Sequence, residues 1–438
     1  MSRDQNYRGL DSLAQEFSER LSTEDTEVFL RLFCLLYADD TIILAESAVQ
    51  LQHALNELHN YCQQWKLTVN ASKTKIIIFS KGTVRSYPAF TLGNEHLEVV
   101  KEYVYLGVTF SCNGSFKKAI LKQVAQAKKA MHALIWRSKK LNLKVDLVLE
   151  LFDKCVVPVL LYGSEVWGFS DLEPIETFYR SFLKKTILVK GSTPNNMVYG
   201  ETGCIPLESQ VMNRVAGFWG RIVQGHRSKL SFMLYKLLRK LHYDNNHTLV
   251  SPWINYVEKL CTEHNLSDFW FDDSPGLPMN HIHTTLRDKY KAKFVTQWRI
   301  DLEESLSCIS YDEFKDSFKL EPYLTKLNFG DRLIMAKFRC RSNYLPISDF
   351  KQFNDTYFVP ECPFCQNDYA DEEHYLLFCP HFAETRIPLL TLFPDLEEVP
   401  SQIKHILCSE DVEVLKAIAK FCKKFMNELK NKKSALLE

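Results

Sequence analysis

Two adjacent carboxylates, Asp39 and Asp40, stand between the apolar runs Leu32–Leu36 and Thr41–Ala45. An unpaired charge is costly to bury, so the arrangement reads as a hairpin of two strands with the acids on its turn. Carboxylates on such a rim can share divalent cations. Two oxygen-ligated Mg²⁺ ions about 3.5–4 Å apart can activate an attacking hydroxyl and stabilise a departing phosphate, which is nucleotidyl-transfer chemistry. Asp is also favoured in turns for its own sake, so the pair alone does not separate catalysis from turn chemistry.

A second chemical signal lies in the stretch CPFCQNDYADEEHYLLFCPHF. Cys362, Cys365, His374 and Cys379 form C-x2-C-x8-H-x4-C, a spacing suited to tetrahedral zinc, with His381 as a substitute ligand. Four protein ligands make a closed, structural site instead of a catalytic one. A third signal is charge. From Lys117 to Lys144 there are nine Lys or Arg and no Asp or Glu. Lys117, Lys118, Lys122, Lys128 and Lys129 in that stretch can neutralise successive phosphates of a duplex, and the alternative is a solvated helix face.

The elements that carry these residues follow from patterning. Helical spacing starts after Ser47, a candidate N-cap, and runs through Leu51, Leu55, Leu58 and Trp65. Residues 66–70 and 75–80 resume strand character, and 97–111 are β-branched and aromatic with a bend at Gly107. From Ser115 an amphipathic helix places Phe116, Ile120, Val124, Ala127, Met131 and Leu134 on one face. A further helix over 145–162 is expected to kink or end at Pro158. The chain then reads as mainly helical to about 345, with loops near 191–196 and 272–280, and it ends in a basic amphipathic helix over 411–432.

At 438 residues the chain has length for two or three domains. Hydrophobic residues at 46% and charged residues at 25% exclude disordered and collagen-like classes. Net charge is zero, 54 basic against 54 acidic residues, so a nucleic-acid partner must be held by a local patch. Thirteen cysteines, mostly single and in apolar surroundings, as Cys34, Cys155 and Cys422, suit a reduced compartment. The first thirty residues are polar without a signal-peptide core, and no apolar run reaches membrane-spanning length. The expected location is intracellular, cytoplasmic or nuclear, and oligomeric state is left open.

Taken together, the YADD of residues 37–40 resembles the palm motif of reverse transcriptases, specifically those of non-LTR (LINE-like) retrotransposons. The helix ending in Trp65, with Leu67, Val69, Asn70 and Lys73-Thr74-Lys75, is similar to the next palm elements of that family. Tyr105-Leu106-Gly107 is similar to the hairpin that grips the primer terminus, and VLLYGSEVWG, residues 159–168, to a thumb signature. The Cys/His element and the preceding DRLIMAKFRCRSNYLPI also follow the family. Lys337, Arg339 and Arg341 in that segment are placed either on nucleic acid or at a solvated edge.

The resemblance implies Asp39 and Asp40 as the Mg²⁺ ligands and Tyr37 and Ala38 near the primer terminus. It also implies Lys73 near the triphosphate and Tyr105, Leu106 and Gly107 on the primer, with an RNA template and a DNA primer, or duplex nucleic acid, as partners and no membrane. The expected fold is α+β. A partial palm, an antiparallel sheet with a helix, occupies 1–112; a helical thumb 113–190; a helical region 191–345; a zinc-knuckle-like element 346–390; and C-terminal helices 391–438.

The family also needs a third carboxylate on an upstream strand. The acids before Tyr37, namely Asp4, Asp11, Glu16, Glu19, Glu24, Asp25 and Glu27, lie in a polar segment. The expectation is therefore an N-terminally truncated enzyme, inactive alone. The alternative is a non-catalytic, zinc-containing nucleic-acid-binding protein derived from a retroelement.

Overall fold

Short strands joined by tight turns, then a long succession of amphipathic helices, give an α+β architecture that is mostly helical with small sheets. The computed structural model describes residues 34–80, 82, 86–243, 251–264, 266, 267, 270, 279–342, 361–366 and 370–435. The seven upstream acids, Leu32, Phe33, most of the loop expected at 272–280 and residues 346–360 lie outside the described residues.

Strands β1 (Cys34–Tyr37) and β2 (Asp40–Ile43) pair antiparallel, with Tyr37 opposite Asp40. Helix α1 (Ala48–Gln64) starts where Ser47 accepts the Gln50 N–H at 3.3 Å. Next come β3 (Lys75–Ile76), β4 (Phe90–Leu92), β5 (Glu95–Val99), β6 (Glu102–Tyr105) and β7 (Val108–Ser111). Among the described residues the strands form three small sheets, not the single antiparallel sheet expected, and β3 runs parallel to β5. The strands are only two to five residues long, so each ladder ends early. One bond, Ser80 N–H to the Cys112 carbonyl at 3.0 Å, links the segment after β3 to the β6–β7 hairpin, which Cys112 N–H to the Lys101 carbonyl at 2.9 Å extends by a rung. Residues 66–70, expected as a strand, are irregular.

One face of α1 covers the β3-β5-β4 sheet. Leu51, Leu55 and Leu58 recur at helical spacing and pack with Ala71, Ile76, Phe90, Leu92 and Leu97. Gln52 clips that helix to the sheet edge, its amide donating to the Thr91 carbonyl at 2.8 Å while its oxygen accepts the Thr91 N–H at 3.0 Å.

The helices that follow are α2 (Lys117–Lys140), α3 (Val145–Cys155), α4 (Val157–Leu160), α5 (Ser164–Trp167), α6 (Glu173–Ile187), α7 (Asn195–Thr202), α8 (Glu208–Val223), α9 (Leu230–Tyr243) and α10 (Pro252–Glu263). After these come α11 (Met279–Glu304), α12 (Ile309–Phe314), α13 (Pro322–Lys326), α14 (Phe329–Arg339), α15 (Ala383–Leu390), α16 (Gln402–Leu407) and α17 (Val412–Ala435). The break between α3 and α4 falls at Val156. Pro158 then sits in the first turn of α4, where its missing N–H is not needed.

Among the described residues, one compact unit takes in those up to Lys122, Tyr162–Asp171 and Val211–Leu286. The other takes in Gln123–Leu161, Leu172–Gln210 and those from Arg287 onward. In the first unit Trp219 and Trp270 pack 6.0 Å apart, and the Trp219 indole donates to the Tyr235 hydroxyl at 3.2 Å. In the second, Phe152 of α3 stacks on Phe182 of α6 at 3.7 Å. Of the cysteines expected in apolar surroundings, Cys422 is buried, whereas Cys155 is exposed at the last turn of α3, off that helix's buried line of Val145, Val148 and Phe152. Among the described residues, no helix is long and apolar enough to cross a membrane.

Candidate functional site

The hairpin of β1 and β2 is closed by the two residues Ala38 and Asp39. Ala38 holds φ 53°, the left-handed region that costs a residue with a Cβ roughly 1–2 kcal/mol. Asp39 and Asp40 both reach solvent, as does Tyr37. Among the described residues the apolar flank is not buried: Leu36 is 73% exposed, and β1 and β2 pair only with each other. Among the described residues, no third carboxylate gathers with Asp39 and Asp40.

Lys73 closes a turn organised by Asn70, whose side-chain oxygen accepts from Ser72 Oγ at 2.7 Å and from Lys73 N–H at 3.2 Å. The Tyr103 hydroxyl of β6 points at the Lys73 carbonyl, 3.4 Å away, which ties that turn to the next hairpin. The tip of that hairpin is Leu106-Gly107, both in the left-handed region with φ 46° and 79°. Two successive positive φ values are the signature of a tight turn matched to strand twist.

Sequence reasoning did not foresee what holds this tip. The Tyr162 hydroxyl donates to the Leu106 carbonyl at 3.0 Å, and a Cβ added at Gly107 would lie 2.8 Å from the Tyr162 ring. Gly163, φ 72°, is as tight against Val108, and the Trp167 indole donates to the Tyr162 carbonyl at 3.0 Å. The Tyr162–Trp167 part of that signature therefore docks on the Leu106-Gly107 tip. Only the two glycines hinted at close approach, because the contact spans 56 residues of chain.

On α2, Lys117, Lys118, Lys122, Lys128 and Lys129 are all exposed. Lys118 and Lys122 are already engaged by Glu102 of β6, the second at 3.7 Å. The Lys118 bond holds the Glu102 carboxyl below the usual carboxylate range. Of the later cations, Arg339 is a correction. It is fully buried and meets neither nucleic acid nor a solvated edge, because its guanidinium donates to both Glu201 oxygens at 2.9 Å and lies 3.2 Å from Glu321. Arg341 turns inward too, pairing with Glu372 at 3.0 Å, and Lys337 is half-buried.

The Cys/His residues come together. Pro363 and Phe364 shape the first turn, closed by the Gln366 N–H on the Cys362 carbonyl at 2.8 Å. His374 opens a single π-helical turn, its N–H capped by Asp371 at 2.8 Å, and Cys379 ends it. Cys362 Sγ lies 3.9 Å from Cys379 Sγ, Cys365 Sγ lies 3.4 Å from His374 Nε2, and all four ligand atoms fall within 4.8 Å of one another. A tetrahedron with Zn–S near 2.3 Å and Zn–N near 2.0 Å has edges of about 3.5–3.8 Å, so the donor set fits zinc. His381 is not a substitute ligand: its Nε2 meets Glu428 at 3.0 Å and its ring stacks on Phe364 at 4.4 Å.

Comparison with known proteins adds a lineage to this geometry. Residues 8–110 match the family described as reverse transcriptase (RNA-dependent DNA polymerase), so the match begins upstream of the described residues. A transposon-derived protein of Caenorhabditis elegans is 27% identical over 140 residues, 31% of this chain and 49% of that protein. The RNA-directed DNA polymerase from mobile element jockey of Drosophila funebris is 25% identical over 159 residues, 34% of this chain and 17% of that protein. Its Drosophila melanogaster counterpart is 29% identical over 143 residues, 31% of this chain and 15% of that protein. The chain spans about half the length of the first relative and under a fifth of the other two.

Proposed function

We propose, from a chain whose residues 8–110 are reverse-transcriptase sequence of the non-LTR retrotransposon kind, that it supplies the catalytic turn, the thumb and the zinc-bearing part of such an RNA-directed DNA polymerase. The observation that carries this reading is the exposed pair of Asp39, on the two-residue hairpin turn, and Asp40, the first residue of β2 beside it. Their hard oxygen ligands suit Mg²⁺, which when bound would acidify a primer hydroxyl and stabilise the leaving pyrophosphate. Tyr37, which closes the ladder, and Ala38, within the turn, would meet the primer terminus. Lys73 offers a cation to the triphosphate, and the Tyr105-Leu106-Gly107 turn, braced by Tyr162, presses on the primer strand. The α2 lysines neutralise duplex phosphates, and Cys362, Cys365, His374 and Cys379 hold a structural zinc.

A second reading, a nucleic-acid-binding protein without catalysis, is favoured by one observation of the sequence: the acids before Tyr37 lie in a polar segment without the alternation of a strand. We accordingly expect these 438 residues to bind a primer–template duplex without extending it. Primer extension on an RNA template with Mg²⁺ separates the readings. Incorporation by the purified protein that disappears in Asp39→Ala would show the carboxylate pair catalysing here. Binding without incorporation, with log Kd changing by about 0.9 per phosphate contact for each tenfold in salt, supports the second reading. No binding at low salt sinks both.

A further inference from the structure

Helix α2 turns one line of side chains inward: Ile120, Val124, Ala127, Met131 and Ser138 are buried. At 3.6 residues per turn the diametrically opposite line runs through Lys129, Ala133, Trp136 and Lys140. Trp136 is 63% exposed there, and the Lys140 ammonium lies 5.3 Å from its ring centroid. Lys144, also exposed, follows just beyond the helix end. Neither core packing nor solubility calls for an indole at this position. What singles it out is its company: an exposed indole flanked by lysines presents a π-face beside cations, the pairing that suits an anionic ligand with an aromatic ring.

We infer that Trp136 is a stacking platform for an unpaired nucleobase, with Lys129, Lys140 and Lys144 holding the phosphates of the same strand. The inference rests on the reading of α2 as a nucleic-acid contact. Aromatic faces inside a backbone-tracking positive groove are how single strands are held without sequence preference. A protein partner is the poorer match, since Lys is depleted in protein–protein interfaces and no acid occurs between Lys117 and Lys144.

The test compares the full chain with Trp136→Ala and Trp136→Tyr. Each is titrated with a labelled single strand of about 15 nucleotides carrying 5-iodouridine, and with a blunt duplex. The expected result is about a tenfold loss of single-strand affinity in Trp136→Ala, most of it restored by Tyr, with duplex affinity and thermal stability unchanged. Ultraviolet cross-links should map to Trp136. If Trp136→Ala binds the single strand as the parent does, or cross-links fall only elsewhere, the inference fails and the basic-helix reading stands. Loss of self-association in Trp136→Ala with unchanged single-strand binding would also overturn it, in favour of a protein contact. If the parent binds neither ligand at about 50 mM salt, the underlying reading fails with it.

Discussion

Arg339 has its guanidinium between Glu201 and Glu321, donates to the Leu407 carbonyl at 2.8 Å, and lies over the rings of Phe314 and Tyr323 at 4.9 and 5.6 Å. Tyr311 and Tyr323 hydroxyls complete the shell of Glu201 at 3.0 and 2.6 Å, and Lys315 pairs with Glu321. Burial would push the Glu201 carboxyl up, but Arg339 and Lys315 hold it below the usual range. Two cations and two anions thus leave water together, and removing one strands the rest. Arg339→Met is expected to cost about 3–5 kcal/mol in urea unfolding of the second unit. A loss below about 1 kcal/mol would mean that the site rehydrates. Nothing near Arg339 in the chain announces this burial, since its partner Glu201 is 138 residues away. Gly107 is the opposite case. Its bend was legible, and its positive φ together with the Tyr162 ring predicts that Gly107→Ala destabilises the first unit by about 1–3 kcal/mol, read by thermal melting. An unchanged melt would show the turn to be slack.

At the scale of elements, local signals were enough for the helices and not for the sheets. Ser47 capping α1, the buried line of α2 and the break before Pro158 all arise from neighbours in sequence. The parallel pairing of β3 with β5 depends on chain that returns from elsewhere, as does the junction of α6 with α8. There Glu176 accepts the Glu208 N–H at 2.8 Å, satisfying a free donor at the α8 N-terminus, while its second oxygen is buried without a hydrogen-bond partner among the described residues. Burial pushes the Glu176 carboxyl up to about 7 from 4.5. The folded state therefore keeps this proton longer than the unfolded chain does. Stability falls as pH rises from about 4.5 to about 7 and stays lower above, by at most about 3 kcal/mol. Glu176→Gln keeps an acceptor for Glu208 and removes the charge. It should raise the melting temperature at pH 8 and leave it nearly unchanged at pH 5. Equal shifts at both pH values would rule out the charge as the cause.

For the whole molecule, the Cys/His element is set within the second unit's core. Tyr375, directly after His374, stacks on Phe425 of α17 at 5.5 Å, and Phe425 also meets Phe338 of α14 and Phe382. The Arg386 guanidinium donates to the Cys379 carbonyl at 3.0 Å, and Arg341 joins Glu372 to the end of α14. The ligand spacing was plain in sequence because all four donors fall within eighteen residues. The packing was not, because α14 and α17 reach the element from either side of it in sequence. Metal occupancy and the integrity of these helices should consequently rise and fall together, as binding free energy becomes folding free energy. Elemental analysis of the purified chain is expected to give one zinc per molecule. Chelation or Cys365→Ser should lower the second unit's melting temperature by about 10 °C and increase amide exchange in 329–342 and 412–435. Exchange confined to 361–379 after metal loss would instead make the element a separate finger, free to read nucleic acid by itself.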